Sequence, residues 1–589
     1  MCDDLQRVRG SRDFRMLPVA IACWVGCLLG RFFWKTYSFY GANVIIAIAV
    51  VILILLAFVR ILLRIFVTPV KHCAKSPVTI FSNLLKNLRY KLFTWNRTIS
   101  LTACFCIAAC AITYITQCVI SNDAVMREIH AETESRAAYA KRSDGKTDRV
   151  AEFTIITPLR ASKSFMGDCQ AVAQVHKFDG QISYVQAKFY AYSPICKRLD
   201  YGSSVRVPVS IKSSRFDYNK PEIYISKSQN SLVITKSADI FHKSLTALWQ
   251  SFYNVTGKLD AQGSMLVPGV TVGMLGQEYV PTEETNSLNP IDETYATMTR
   301  NHFQHAGIMH VMAVSGGHFL LLSMLIYKCC AYLLLPRWFT SFLQIALQIL
   351  LASVVYPSAS VLRALIMGII AATAFCFKRP YQSVSALSWT VIGVLVVNPS
   401  YAWDYAFALS SAATLGIVVM GVPASKILAK YMPSWISSAL SITFAAQCWT
   451  MPVQILMQPE VSFMAVPANL IVAPLMDWAT VCGLISLVCA SFSAGLSFIF
   501  ARASSIGTSF MEKCAYFCDE AAFGVFPWMK GAAGAWLMVG VEITIFSAFM
   551  IAFRSFHNRA YVQRISIIGQ IWASSGKRMV EDASKIFEE

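Results

Sequence analysis

Residues 305–319, HAGIMHVMAVSGGHF, place a serine beside two glycines and three histidines, side chains whose types could do chemistry. The run AVSGG differs at one residue from the G-x-S-x-G motif, which forms a turn that presents a nucleophilic serine. A serine nucleophile needs a base from another segment. Only His557 follows this stretch, and it lies in a basic tail. We therefore expect no catalytic residue here, and no enzyme.

A metal site is the second chemistry that this stretch suggests. His302, His305, His310 and His318 lie within 17 residues, but their spacing is not H-E-x-x-H. No Cys, Asp or Glu joins them locally, as zinc sites usually require. We expect no metal and no cofactor, and ordinary hydrogen bonds for these histidines.

The third interpretation concerns the backbone of Ser315, Gly316 and Gly317. Glycines in a helix cost about 1 kcal/mol each against alanine, so the pair favours a break. A broken helix at membrane depth is tolerated only where protein or a water-filled cavity surrounds it, as in transport proteins. Close helix packing through small residues is the alternative.

The composition of the chain indicates that these residues lie in a lipid environment. The chain has 589 residues, of which 56% are hydrophobic and 14% charged, with a mean hydropathy of +0.51. Soluble domains carry roughly 25% charged residues. Residues 42–59 contain no charge and approach the length of a bilayer crossing. These features predict a polytopic α-helical membrane protein.

Charge distribution predicts the orientation in the membrane. Spans are expected at about 17–34, 42–66 and 98–120, with a loop at 67–97 that holds six basic and no acidic residues. Basic loops stay in the cytoplasm. We therefore predict a multi-pass protein of the cytoplasmic membrane with both termini in the cytoplasm, because the tail at 554–589 is basic too.

Residues 121–237 form a polar stretch that this topology places outside the cytoplasm. A helical lead-in precedes short β-branched or aromatic runs, which predict a small OB-like barrel of about five strands. The runs are 150–157, 181–192, 203–212, 222–226 and 231–235. From Lys146 to Thr235 there are thirteen basic and seven acidic side chains. Single-strand binding is one interpretation, and a solvated basic surface is the other. The stretch holds two cysteines, Cys169 and Cys196, which predict a disulfide.

The rest of the chain divides by hydropathy. Three spans occupy 1–120, an amphipathic helix and linker follow the barrel at 238–304, and a multi-span domain covers 305–553 in eight or nine passes. Either 494–510 or a half-helix near Ser315 is expected to be re-entrant. Polar residues within this domain are functional candidates because they are costly in a bilayer. With Ser315, Gly316 and Gly317, the candidates for a conduit through the membrane are His310, His318, Arg363, Asp404, Gln447, Asn469 and Asp477.

Four segments within about 262–490 together resemble the ComEC family of competence proteins, the channels for DNA uptake in natural transformation. Residues Gly307, His310, Ala313, Ser315, Gly316 and His318 match one signature of that family. The others are matched at Pro357, Ser358, Arg363, Ala364 and Met367, at Asn398, Pro399, Phe407, Leu409 and Ser410, and at Gln447, Pro452, Ser462, Asn469 and Pro474. Two departures are Gly317, where a larger apolar residue is usual, and the lack of a metallo-β-lactamase-like segment after the last span.

The resemblance implies passage of single-stranded DNA through the membrane domain, with the OB-like domain receiving the strand. Arg363 and the basic barrel are the positive partners expected for its phosphates. The chain has no G-x-x-x-x-G-K-[ST] motif for ATP. The resemblance also implies a separate DNA receptor, ATPase and nuclease as partners, and a homo-oligomer. The alternatives are a transporter of a small anionic or polar solute on the same scaffold, or a degenerate family member.

Overall fold

The computed structural model describes residues 13–40, 79–138, 149–162, 167–214, 220–225, 232–280, 292–520, 524–548 and 551. The predicted span at 42–66 and the tail at 554–589 lie outside these ranges. The chain divides into two units, one formed by Met1–Ala446 and Ser462–Val525, the other by Gln447–Val461 and Phe526–Glu589.

Helices dominate both units. Their bounds, in chain order, are α1 (Leu17–Tyr40), α2 (Thr79–Ser121), α3 (Ala124–Ala138), α4 (Ser193–Cys196), α5 (Ile240–Thr256), α6 (Ala261–Val272), α7 (Glu293–His305), α8 (Gly316–Tyr332), α9 (Arg337–Val354), α10 (Ala359–Cys376), α11 (Ser383–Val397), α12 (Tyr405–Gly416), α13 (Val422–Leu428), α14 (Ser434–Met457), α15 (Ala465–Cys489), α16 (Ala494–Glu520) and α17 (Gly531–Ala548). A π-helical turn, Ile417–Gly421, joins α12 to α13.

Among the described residues, eight helices are long and apolar enough to cross a membrane. They are Leu17–Thr36, Ser100–Ser121, Arg337–Val354, Ala359–Cys376, Tyr405–Leu428, Ser434–Met457, Ala465–Cys489 and Gly531–Ala548. The predicted class, a polytopic helical membrane protein, is confirmed at this level. Six of the eight follow residue 305, while α8, α11 and α16 fall short of the same criteria. The described part of the predicted basic loop, 79–97, is helical and continues into the third span within α2.

The polar stretch forms a β-barrel-like sheet, with strands β1 (Arg149–Ile155), β2 (Arg160–Ala161), β3 (Cys169–Phe178), β4 (Gln181–Ile182), β5 (Gln186–Ala191), β6 (Ser204–Lys212), β7 (Glu222–Ile225) and β8 (Val233–Lys236). Five strands run in the order β1-β3-β5-β7-β6, and β6 pairs again with β1, which closes the barrel. All these pairings are antiparallel except that of β5 with β7. Strands β2, β4 and β8 are short additions on β3 and β6. A separate two-stranded sheet comprises β9 (Glu460–Ser462) and β10 (Val525–Pro527).

The number of barrel strands agrees with the predicted five, but their identity differs. The prediction contained no strand over 169–178, where the structure has β3, the longest strand of the barrel. Its inward positions include Ala171 and Ala173, which lack the β-branched or aromatic character that marks strands. The predicted strand at 231–235 corresponds to β8, which lies outside the closed ring.

The barrel has a hydrophobic core of its own. Phe153 and Phe189 are fully buried with ring centroids 5.4 Å apart. Helix α3 packs Val125 and Met126 on the same core, which explains the predicted helical lead-in. Cys169 and Cys196 are joined by a disulfide, with Cα atoms 6.1 Å apart. The disulfide ties the start of β3 to the helix that follows β5.

Helix α5 packs on the helical bundle. Its buried side chains include Trp249 and Phe252, in one cluster with Val267 and Leu487. The indole Nε1–H of Trp249 donates to the carbonyl oxygen of Val354 (2.9 Å), the last residue of α9. The predicted amphipathic helix therefore packs on the helical bundle.

The N-terminal helices α1 and α2 pack along each other and against the multi-span domain. Cys23, Cys27 and Ala109 share a cluster with Leu387 and Val391 of α11. The indole of Trp24 donates to the carbonyl oxygen of Ala402 at 2.8 Å. In the second unit, Ile455, Val461 and Met538 form a small cluster by themselves.

The disulfide yields a direct test. Alkylation of the denatured chain should label two more thiols after reduction than before, because Cys169 and Cys196 are paired. Replacing both by serine should lower the stability of the barrel by about 3 kcal/mol, since the closed loop has 27 residues. A Cys329→Ser control, at an exposed free thiol, should leave the difference at two. Equal labelling with and without reductant would disprove the pairing.

Candidate functional site

The predicted break in the helix lies just before the glycine pair. Helix α7 ends at His305, a short 3-10 turn covers Met309–Met312, and α8 begins at Gly316. Ser315 is the N-cap residue, with extended backbone (φ −116°, ψ 174°), and its Oγ accepts the N–H of Gly317 at 3.3 Å. The glycines therefore form the first turn of α8.

The two glycines differ in how much room surrounds them. A Cβ on Gly316 would lie 3.0 Å from Nη2 of Arg363, a tight contact. A Cβ on Gly317 would meet nothing nearer than the Oγ of Ser315 at 3.4 Å. Glycine at position 316 thus lets the guanidinium of Arg363 approach closely, whereas a Cβ at position 317 makes only an ordinary contact.

His318 is buried, 1% exposed, and bridges three elements. Its Nδ1 accepts the backbone N–H of Ser315 (3.3 Å), so its Nε2 carries the proton and donates to the carbonyl oxygen of Val270 (2.9 Å). The hydroxyl of Thr480 lies 3.3 Å from the same nitrogen. His318 thereby completes a capping box in the position usually held by Glu or Gln.

The same contacts show how His318 is placed to act as a base for Ser315. Oγ of Ser315 is 3.4 Å from Nδ1 of His318, but that nitrogen already accepts a backbone N–H. Within the described ranges no carboxylate hydrogen bonds to His318, so the third member that orients a catalytic histidine is missing from its contacts.

The C-terminal end of α6 is the point where the barrel, α5 and the multi-span domain meet. Gly273 ends the helix in the left-handed region, at φ +82°. Four carbonyl oxygens around it accept hydrogen bonds from four different segments. Val270 accepts from Nε2 of His318 (2.9 Å), Val272 from the N–H of Tyr356 (2.8 Å), Gly273 from Nη2 of Arg160 (3.1 Å) and Met274 from the hydroxyl of Tyr253 (2.8 Å).

Arg160 is the contribution of the barrel to this junction. Its guanidinium lies over the ring of Tyr356, 3.3 Å from the centroid. Nη1 is 3.6 Å from a carboxylate oxygen of Glu278, which also pairs with Arg300 at 2.9 Å. A β-bridge joins Arg160 to Tyr279. Backbone, charge and ring contacts therefore hold residues 156–162, the barrel loop that follows β1 and includes β2, on the helical part of the chain.

Tyr279 in turn stacks on Tyr253, with ring centroids 4.1 Å apart and planes 4° from parallel. Burial raises the pKa of Tyr279 to about 12, so its phenol stays neutral at physiological pH. The stack extends the contact between the barrel loop and α5.

A second polar cluster joins α7 to α16. The carboxylate of Asp519 accepts from Nδ1 of His302 (2.6 Å) and of His305 (2.7 Å). Partial burial opposes ionisation, but these hydrogen bonds hold the pKa of Asp519 below its usual value. In the described part of the chain, no group of three or more His, Cys, Asp or Glu side chains is arranged to hold a metal.

The remaining predicted residues do not gather at one point. Asp404 caps α12 through the N–H of Phe407 at 2.9 Å. Asn469 donates to the carbonyl oxygens of Ala465 (2.7 Å) and Gly307 (3.5 Å). His310 is exposed on the 3-10 turn, and Asp477 is exposed on α15. The side-chain amide of Gln447 donates to Gln454 at 3.4 Å. The structure brings together Ser315, Gly316, His318 and Arg363, whereas Asp404 caps α12.

Arg160, Tyr356 and Asp519 are functional candidates that no sequence pattern indicated. Arg160 and its acceptor are 113 residues apart, so no spacing links them. The sequence indicates Tyr356 only weakly, by its position directly before Pro357 and Ser358, two of the residues that match the family. Asp519 and its histidines are more than 200 residues apart.

Within the described ranges, eight membrane-length helices, the interrupted segment before α8 and a buried polar junction indicate a multi-pass α-helical membrane protein with a β-barrel-like domain. Residues 292–554 match the family model described as Competence protein. The predicted family resemblance is confirmed over this segment, which contains Ser315, Arg363 and their surroundings.

The chain is also similar to one curated relative. ComE operon protein 3 of Bacillus subtilis (strain 168) is 22% identical over 293 residues, which is 48% of this chain. The match spans 35% of that relative's length. No solved structure matches the chain significantly.

The Arg160 contacts predict a measurable effect. Arg160→Ala should speed amide exchange of 156–162 and 273–279, because Gly273 and Glu278 lose a charged partner, at a local cost of about 1–3 kcal/mol. Arg206→Ala is the matched control, since Arg206 is exposed on β6 of the same barrel. Hydrogen exchange of the full chain measures both. Equal exchange in the two variants would show that Arg160 does not hold the barrel loop.

Proposed function

We propose that this chain is a channel of the cytoplasmic membrane for uptake of single-stranded DNA in natural transformation. The observation that carries the proposal is the Arg160 junction. It holds a basic barrel directly beside the broken helix of the segment that matches the Competence protein family. A strand received by the barrel would then be delivered to the start of α8.

We propose further that the barrel is OB-like. Five strands in the order β1-β3-β5-β7-β6, closing on β1, with a short helix between β5 and β6, support this assignment. Folds of this kind bind oligonucleotides along the sheet and the adjoining loops. The loop that carries Arg160 is one of those loops.

The barrel surface offers the chemistry that a single strand needs. Tyr184 is 76% exposed and presents a ring face for base stacking. On the outside of β5 and β7, Tyr190 stacks on Tyr224 at 5.1 Å, with the ammonium of Lys188 5.1 Å from the Tyr190 ring. The aromatic pair thus fixes a positive charge where it can meet phosphates.

Charge and redox chemistry support an orientation of the chain in the membrane. We propose that both termini are cytoplasmic and the barrel extracytoplasmic, supported by the basic residues at 67–97 and by the Cys169–Cys196 disulfide, a bond typical of oxidising compartments.

We propose no enzymatic step in this chain. A DNA receptor, an ATPase and a nuclease would then be separate proteins, and the channel a homo-oligomer.

Transformation frequency tests the function. Deletion of the gene should abolish uptake, and wild type, Ser315→Ala and Gly317→Ala should restore it, since loss of the N-cap costs only about 1 kcal/mol. Gly316→Leu should fail at equal expression, because the new side chain meets Arg363. Gly317→Ala is the matched control, with room for a Cβ.

Two outcomes would contradict this account. Normal uptake after deletion would exclude the DNA channel and favour transport of a small anionic or polar solute. Loss of uptake in Ser315→Ala alone, with the protein folded and expressed, would show that the serine hydroxyl has chemistry beyond capping α8.

A further inference from the structure

Helices α8 and α10 run in the same direction, with α9 antiparallel to both. Gly316, the first residue of α8, lies beside Arg363 in the second turn of α10. Further along, Nε2 of Gln348 in α9 donates to Oγ of Ser323 in α8 at 2.6 Å, and Gly368 of α10 packs on the same glutamine amide. The last turns of α8 and α10 therefore lie beside the start of α9, at the end of these helices opposite the Arg160 junction.

Ring contacts join the three helices at that end. The rings of Tyr327 in α8 and Phe375 in α10 have centroids 5.6 Å apart. The guanidinium of Arg337, the first residue of α9, lies 5.5 Å from the centroid of the Phe375 ring. Helices α9 and α10 are long and apolar enough to cross a membrane, so their ends reach its surface. Two turns lie there, 333–336 between α8 and α9 and 377–382 between α10 and α11.

Both turns begin with a left-handed residue that is not glycine, Leu334 at φ +52° and Lys378 at φ +54°. In each case the N–H of the next residue donates to a carbonyl oxygen five residues earlier, at 2.9 and 2.8 Å. Glycine is the usual residue at this position of a helix end because it is unstrained there. Here each turn instead presents a side chain, and Leu334 is 90% exposed while Lys378 is exposed as well.

Three exposed cations belong to this end of the helices, Arg337, Lys378 and Arg379. The sequence has no acidic residue between Glu293 and Asp404. In the part of the chain that the structure describes, none of the three cations forms an ion pair with a carboxylate. A helix C-terminus carries only about half an elementary negative charge. The end of α10 therefore offsets a small part of the positive charge, and an external anion is needed for the rest.

Apolar side chains beside these cations indicate what carries the anion. Tyr332, Trp338 and Phe377 are all exposed, as Leu334 is. Aromatic rings next to basic residues at the ends of membrane spans are typical of the membrane–water interface. A nucleic acid could stack its bases on the rings but has no comparable use for an exposed aliphatic side chain. A lipid surface fits both the charged and the apolar residues.

We propose that the two turns, through Arg337, Lys378 and Arg379, bind the phosphodiester headgroups of anionic phospholipids. Leu334 and the exposed rings would lie among the acyl chains next to those headgroups. In the orientation proposed above, the lipids belong to the cytoplasmic leaflet. The site does not depend on which solute or polymer the protein transports, because it lies opposite the Arg160 junction and faces lipid.

The test uses the purified full chain in nanodiscs of phosphatidylcholine with increasing fractions of phosphatidylglycerol, at low salt. The melting temperature is measured because a ligand of the folded state raises it. Phosphatidylglycerol should raise the melting temperature of wild type. The triple variant Arg337→Gln, Lys378→Gln and Arg379→Gln should lose about a hundredfold in apparent affinity for this lipid, since each cation at an anionic surface contributes a factor of about five.

A control variant carries the same change of charge at another place. Lys177→Gln, Arg198→Gln and Arg206→Gln together remove three exposed cations from the barrel, and this variant should respond to phosphatidylglycerol as wild type does. No rise in wild type would overturn the lipid site. An equal rise in wild type and in the triple variant of the turns would overturn it too.

Stability in phosphatidylcholine alone separates a binding role from a structural one. The triple glutamine variant of the turns should melt there as wild type does, because the three side chains are exposed. A variant with Arg337→Lys, Lys378→Arg and Arg379→Lys keeps all three charges and should keep the response to phosphatidylglycerol. Loss of that response with the charges retained would overturn the site, as would a glutamine variant that melts lower in phosphatidylcholine alone.

A (dT)20 oligonucleotide, added to nanodiscs of phosphatidylcholine alone, tests the other phosphodiester that could occupy the turns. It should raise the melting temperature of wild type and of the triple glutamine variant of the turns equally, or of neither. A rise that this variant loses, without a response of wild type to phosphatidylglycerol, would overturn the lipid site and assign the turns to nucleic acid.

Discussion

Carbonyl groups at the end of a helix need hydrogen-bond donors wherever protein excludes water. The end of α6 imposes this requirement on the whole chain, because every residue from Gln262 to Val272 is buried. The helix cannot continue past Gly273, so its last carbonyl groups must find donors in other segments. A phenol, an imidazole, a backbone amide and a guanidinium meet that need, one each from α5, α8, the α9–α10 connection and the barrel. The barrel is therefore joined to the helices by a backbone requirement as well as by side-chain packing.

The same junction explains the arrangement of charge around it. Arg160 faces the negative end of α6, where a cation is favourable, and Glu278 and Arg300 continue the pairing outward. Arg363 lies beside Gly316 at the start of α8, and its guanidinium donates to the hydroxyl of Ser410 and to the sulfur of Met367. The guanidinium of Arg160 is thus paired with carbonyl and carboxylate oxygens, and that of Arg363 with uncharged side chains. Ser315 and His318 set the boundary between these two environments by fixing where α8 begins.

Much of the architecture could be predicted because it depends on local pattern. Apolar runs marked the spans, Gly316 and Gly317 marked the break, and a pair of cysteines in the polar stretch predicted their bond. Strand β3 escaped prediction because Ala171 and Ala173 fill its inward positions, where small side chains suit a crowded barrel but carry little β-propensity. The Arg160 junction and the Asp519 cluster escaped because their partners are distant along the chain and only the packed helices bring them together. His318 was a predicted conduit residue, and the structure gives it backbone partners on both nitrogens.

The most direct test of the central claim is passage of single-stranded DNA across a bilayer that contains only this protein. Fluorescent (dT)20 would be added outside vesicles reconstituted with the full chain, barrel outward, under a potential positive inside, and the nuclease-protected fraction measured. The account predicts protection above that of protein-free vesicles for wild type and Gly317→Ala, and none for Gly316→Leu or for duplex DNA. Protection no greater than in protein-free vesicles, from a chain that binds (dT)20 and is correctly inserted, would contradict it.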